Sequence, residues 1–214
     1  MAARHILVAG AGIGGLTAAL ALARAGFDVT LLERAQALEE AGAGVQLAAN
    51  ATRCLKALGV YERVAAHAVF PEAFEVMDGR RGTRLTGAPM GAQAEARFGG
   101  PFLVIHRADL HSALLAAVRE TPAIDLRLGH PVEGFETTDA GVAVHCGETL
   151  HADALIGADG LRSAVRLQLH PAAKPSFRHR AAWRATVPAG ALPASLAGPV
   201  TRLWLGPGAH LVSY

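Results

Sequence analysis

The first apolar stretch of the chain is divided by its own punctuation. "HILVAG", residues 5–10, reads as a buried strand. "GLTAALALARAG", residues 15–26, reads as a helix with Leu16, Leu20 and Ala23 on one face and Gly26 as its stop. "DVTLLER", residues 28–34, is a second strand, so these segments predict a βαβ unit on a parallel sheet. "NATRCLKALG", 50–59, predicts a helix with Asn50 as cap and glycine at its end, and "FEVMDGRRGTRLTG", 74–87, predicts an antiparallel hairpin around Asp78-Gly79. "FLVIHR", 102–107, predicts a strand leading into the helix "ADLHSALLAAVRE". Short strands follow in "IDLRLG", "PVEGFETT", "GVAVHC" and "ETLHA", two of them joined at Asp139-Ala140-Gly141 into a hairpin or meander. "DALIGAD", 153–159, predicts a buried parallel strand again. Beyond Pro171 the texture changes: "PAAKPSF" reads as a linker, whereas "RHRAAWRATVP" and "TRLWLGPGAHLVSY" alternate like sheet strands.

Composition narrows the function classes. The 214 residues leave room for one or two domains, and 51% are hydrophobic while only 5% are aromatic, which suits helices packed closely on a sheet. The net charge of +2 comes from 20 Lys and Arg against 18 acids, scattered without a basic run. Nucleic-acid binding favours a clustered basic face, so none is expected. Cys54 and Cys146 match no metal or redox spacing and read as reduced thiols of a cytoplasmic protein. No charge falls between Arg4 and Arg24, which imitates a membrane anchor. Glycines at 10, 12, 14 and 15 break that run into strand and helix, so no membrane association is expected. The histidines form no zinc signature, and no metal is expected.

The chemistry sits in two glycine-flanked turns. Gly10, Gly12 and Gly15 form G-x-G-x-x-G between the first strand and helix. The first glycine permits the tight turn, the second lets a pyrophosphate approach the backbone, and the third lets helix pack on strand. The helix start offers unpaired N–H groups and a positive dipole end to phosphates. Glu33 follows Gly12 by 21 residues, at the end of the second strand, where an acid can bind adenosine ribose hydroxyls and repel the 2′-phosphate of NADP. The loop alone does not separate FAD from NAD. The second turn, "GADGLRSAVR" at 157–166, places Asp159 directly after an apolar run, where it can also cap the helix "LRSAVRLQL".

The segments "GAGIGGLTAALALARAGFDVTLLER", "GAGVQLAANATRCLKALGV", "IHRADLHSALL" and "IGADGLRSAVR", in that order, resemble the flavin-dependent aromatic hydroxylases of the p-hydroxybenzoate hydroxylase family. The resemblance implies an α/β fold: a Rossmann-like FAD-binding domain with a parallel sheet and a small antiparallel meander, plus an incomplete β-rich substrate domain. The FAD-binding domain would comprise 1–72 and 98–172, and the partial substrate domain 73–97 and 173–214. The resemblance also implies FAD contacts at Gly10, Gly12, Ile13, Gly14, Gly15, Glu33, Arg34, Gln46, Arg107, Val132 and Asp159. "LWLGPGAHLVSY" resembles the matching part of salicylate hydroxylase and 3-hydroxybenzoate 6-hydroxylase. By that likeness His210 would be catalytic and face the substrate, with Tyr214 lining the same pocket. An imidazole titrating near neutrality suits removal of a phenolic proton.

The implied activity is FAD-dependent hydroxylation of a phenolic or aromatic acid using NADH or NADPH and O2, with a homodimer left open for the full-length form. The family continues past this point with a second Gly-Asp motif and helices that close the flavin cleft. The 214 residues are therefore expected to be an N-terminal part, inactive alone. Two alternatives stay open: a non-catalytic FAD-binding fragment, and an FAD-dependent reductase or epoxidase of the same fold.

Overall fold

The computed structural model describes residues 4–38 and 42–214. Along the chain it runs β1 (His5–Ala9), α1 (Ile13–Arg24), β2 (Asp28–Glu33), β3 (Gly44–Leu47), α2 (Ala49–Ala57), α3 (Tyr61–Ala65), β4 (Ala73–Asp78), β5 (Arg84–Pro89) and α4 (Gly91–Phe98). It continues through β6 (Leu103–His106), α5 (Arg107–Arg119), β7 (Ile124–Leu128), β8 (Gly134–Thr138), β9 (Gly141–His145), β10 (Thr149–Ala152), β11 (Ala154–Gly157) and α6 (Ala164–Leu169) to β12 (Val200–Gly206) and β13 (Ala209–Ser213). Two compact units result, Met1–Glu40 with Leu110–Ala182, and Ala41–Asp109 with Trp183–Tyr214.

The first unit is built on a four-stranded sheet in the order β11-β1-β2-β7, parallel throughout. Parallel strands bury both faces, and Leu7, Val8, Ala9, Leu31 and Leu32 are accordingly inaccessible. Helix α1 buries Gly15, Leu16, Ala19 and Leu20. It ends where Gly26 takes φ +89° and its N–H donates to Ala23 O. Strands β8, β9 and β10 form the antiparallel meander. Its Val142, Val144 and Cys146 form one core cluster with Leu7 and Leu32 of the parallel sheet.

In the second unit, β4 and β5 form the expected hairpin, with a register shift between Val76 and Met77. Asp78 Oδ1 accepts from the Arg80 and Arg81 N–H groups and shapes the turn. Strands β12 and β13 form a second hairpin, and β12 pairs in parallel with β4, giving the order β13-β12-β4-β5. Strands β3 and β6 make a separate antiparallel ribbon.

The short strand "IDLRL", whose sheet the sequence left open, is β7 and joins the parallel sheet beside β2. Several expectations need correction. The strand at 153–159 is shorter and only half-buried, because β11 is an edge of its sheet. Helix α2 is capped by Ala48, not Asn50: the Ala51 and Thr52 N–H groups both donate to Ala48 O, so the helix starts early enough to place Asn50 inside its first turn. "RHRAAWRATVP" forms no strand, and Trp183 is 96% exposed. Alternation becomes a strand only where a ladder partner is available, and none pairs with this segment.

Candidate dinucleotide site

In the first unit, β1 delivers the chain into the glycine loop and α1 carries it away. Gly10 takes φ +97°, and a methyl there would come within 2.9 Å of Asp159 Cα. The two turns singled out in the sequence are thus in contact. A methyl at Gly15 would collide with the Gly10 carbonyl. At Gly12 and Gly14 a methyl would meet nothing within 4 Å. The loop is closed where strand meets helix and open where phosphates would lie. The first bond of α1 runs from Leu16 N–H to Gly12 O, 2.9 Å, so the N–H groups before it face outward with no helical acceptor.

Glu33 closes β2 as expected, with its carboxylate turned onto the loop. Oε2 accepts from Ala11 N–H at 2.8 Å and Oε1 from Ala35 N–H at 2.9 Å. A carboxylate offers about four lone-pair positions, which leaves room for ribose hydroxyls. Arg34 is exposed just beyond. Val132 is half-buried and packs against the core cluster of sheet and meander.

Asp159 does two things at once. Its Oδ2 accepts from the Ala164 and Val165 N–H groups, 2.7 and 3.3 Å, and so supports the start of α6. The cap position itself belongs to Ser163, whose hydroxyl accepts from Arg166 N–H at 2.9 Å. Oδ1 of Asp159 is buried with no partner among the described residues. Burying an unpaired carboxylate oxygen is costly, so the atom calls for a donor from outside the protein.

The residues present fit a dinucleotide: an open cradle at Gly12, N–H groups without a helical acceptor, an acid ending the second strand and an acceptor without a partner in the adjoining turn. One further residue was not singled out in the sequence. His111, on α5, is only 3% exposed, and its Nε2 lies 2.8 Å from Ala11 O. Its signal was a lone histidine on an otherwise apolar helix face, which is more often a core residue.

The remaining candidates lie in the second unit. Gln46 sits on β3, half-buried and paired with Val104. Arg107 opens α5, half-buried, with its N–H donating to Ala43 O at 3.1 Å. His210 is exposed on β13 opposite Leu205. Tyr214 donates its hydroxyl to Gly44 O, so its ring lies over β3. A cavity of about 420 Å³ in this unit is lined by Arg53, Met90, Phe98 and Phe102 among others. Among the described residues no group of three or more His, Cys, Asp and Glu is placed to hold a metal ion, and no helix is long and apolar enough to cross a membrane.

A parallel sheet whose first strand passes through G-x-G-x-x-G into a helix, with an acid ending the second strand, defines a dinucleotide-binding protein of the Rossmann type. The chain belongs to the FAD binding domain family, whose model matches residues 4–201. It is 38% identical over 212 residues to 3-hydroxybenzoate 6-hydroxylase 1 of Aquipseudomonas alcaligenes, covering 98% of this chain and 54% of that protein. It is 37% identical over 212 residues to 3-amino-4-hydroxybenzoate 2-monooxygenase of Streptomyces cremeus, covering 98% and 53%. In structure it is similar to Klebsiella pneumoniae HpxO complexed with FAD and uric acid, with TM-score 0.79, 26% identity and coverage of 98% of this chain and 52% of that one. The chain spans about half the length of the curated relatives it matches.

Proposed function

We propose that the protein is an FAD-dependent monooxygenase that hydroxylates a phenolic or other aromatic acid with NADH or NADPH and O2, and that this chain carries the cofactor-binding part and some of the substrate-binding part. One observation carries the reading. A glycine loop open at Gly12 touches, at Gly10, the turn of Asp159, whose Oδ1 is buried without a partner among the described residues, in a chain 38% identical to a hydroxybenzoate hydroxylase. When bound, FAD supplies two-electron redox chemistry and activation of O2. The chain's own residues bind and orient. The N–H groups from Gly12 through Ile13, Gly14 and Gly15 receive the pyrophosphate, and Glu33 accepts from ribose hydroxyls. Asp159 Oδ1 accepts from a cofactor hydroxyl, since a phosphate would be repelled. Arg34, Gln46, Arg107 and Val132 are further proposed cofactor contacts. His210 takes the phenolic proton, which raises electron density in the ring, and Tyr214 borders the substrate. This functional division, 1–72 and 98–172 for the cofactor and 73–97 and 173–214 for the substrate, cuts across the two compact units. The substrates are small and soluble, and a cytoplasmic location is proposed with them.

The test begins with the 214-residue chain and FAD: flavin fluorescence should be altered on binding, with saturation. The full-length gene product is then given NADH or NADPH and a panel of hydroxybenzoates, and hydroxylated product is sought by mass spectrometry. Flavin binding without product from any phenolic acid would favour the reductase alternative. Absence of flavin binding would overturn the proposal.

A further inference from the structure

We infer that His111 is a positioning residue for the pyrophosphate: by holding the Ala11 carbonyl it aims the Gly12 N–H at the open side of the glycine loop. A carbonyl oxygen only accepts, so at 2.8 Å the His111 Nε2 must carry the proton. In a planar trans peptide C=O and N–H point in opposite directions. Fixing the Ala11 oxygen toward α5 therefore turns the Gly12 N–H away from it. On that side a methyl at Gly12 would meet nothing within 4 Å, and among the described residues nothing accepts from the Gly12 N–H. The preceding peptide is held as well, because Ala11 N–H donates to Glu33 Oε2 at 2.8 Å. Ala11 is thus gripped at both its N–H and its C=O, by side chains from β2 and α5. With the carbonyl released, the peptide can rotate and present an oxygen, rather than a donor, to the phosphates. The histidine is 3% exposed, so water does not replace its bond.

The inference rests on the FAD reading, and the test separates the two. Affinities for FAD and for ADP, which carries the pyrophosphate without the flavin, are measured for the wild-type chain, His111→Leu and His111→Gln, well below their melting temperatures. His111→Leu should weaken both ligands by roughly tenfold to a hundredfold, the scale of one lost bond to an orphaned buried carbonyl. His111→Gln, whose amide can donate to the same oxygen, should stay within a few-fold of wild type. A purely packing role would lower melting temperature without this rescue. Nitrogen NMR of the wild-type imidazole, which needs neither variant nor ligand, should find the proton on Nε2. Unchanged ADP affinity in His111→Leu, a His111→Gln variant as weak as His111→Leu, or a neutral ring protonated on Nδ1 each overturns the inference alone. A wild-type chain that binds neither FAD nor ADP overturns the cofactor reading and this inference with it.

Discussion

Replacing Gly12 with alanine should leave the fold intact and cost the cofactor. Gly12 has φ −70° and ψ 179°, an extended backbone that any residue adopts, and a methyl there meets no atom within 4 Å. The free protein should therefore be unchanged, or gain about 0.4–1 kcal/mol because alanine narrows the unfolded ensemble. The same methyl would enter the space proposed for the pyrophosphate. FAD affinity should fall roughly tenfold to a hundredfold, about 1.4–2.7 kcal/mol. Gly15→Ala is the contrasting case. Its methyl would collide with the Gly10 carbonyl, which is fixed in the strand-to-helix turn, so about 1–3 kcal/mol of stability should be lost to overpacking. At about 2–4 °C per kcal/mol for a chain of this size, that is a drop in Tm of roughly 2–12 °C. Gly14→Ala, with nothing within 4 Å, should raise Tm slightly. The assay is thermal unfolding without cofactor, paired with flavin-fluorescence titration. If Gly12→Ala lowers Tm as much as Gly15→Ala, the geometry of the loop is wrong. If Gly12→Ala binds FAD as the wild type does, the pyrophosphate does not lie in this cradle.

Asp159→Asn keeps one oxygen for the Ala164 and Val165 N–H groups but replaces the orphaned acceptor with a donor. FAD affinity should fall about tenfold, with α6 still capped by Ser163; unchanged affinity would reduce Asp159 to a structural role. Glu33→Ala removes two charge-assisted bonds to the Ala11 and Ala35 N–H groups. At the lower end of about 1.5–3 kcal/mol each, discounted for a half-buried site, Tm should drop by at least about 4 °C before any cofactor is added. An unchanged Tm would leave ribose binding as its only role. Cys54 is exposed, whereas Cys146 is buried and burial pushes its thiol pKa up. A maleimide should therefore label Cys54 promptly and Cys146 only on unfolding. A raised pKa means the folded state favours the thiol, so the contribution of Cys146 is fully present below the ordinary thiol range and declines as pH rises through the raised value. Rapid labelling of both cysteines at pH 8 would refute this placement.

The glycine loop and the βαβ unit were legible because they are local. Strand, turn and helix follow one another within residues 5–34, and glycine spacing, apolar periodicity and the acid at 33 are all properties of neighbouring positions. The hairpin around Asp78-Gly79 was legible for the same reason. What depended on distant partners was not. "IDLRL" has the pattern of any short strand, and only the free edge of β2 assigned it to the parallel sheet. "RHRAAWRATVP" alternates as well as β12 does, but β12 has β4 beside it and the former has no partner. Within the site, the sequence could point to Glu33 and Asp159 but not to where their oxygens are spent. Glu33, singled out for ribose hydroxyls, also braces the glycine loop through the Ala11 N–H. Asp159 gives one oxygen to α6 and leaves the other buried without a partner among the described residues. His111 lies 100 positions from Ala11, and no pattern read along the chain records that contact. Periodicity and turn chemistry act over a few residues and decide which elements form. Which buried polar atoms find partners depends on how those elements pack, and that is decided only when the whole unit excludes water.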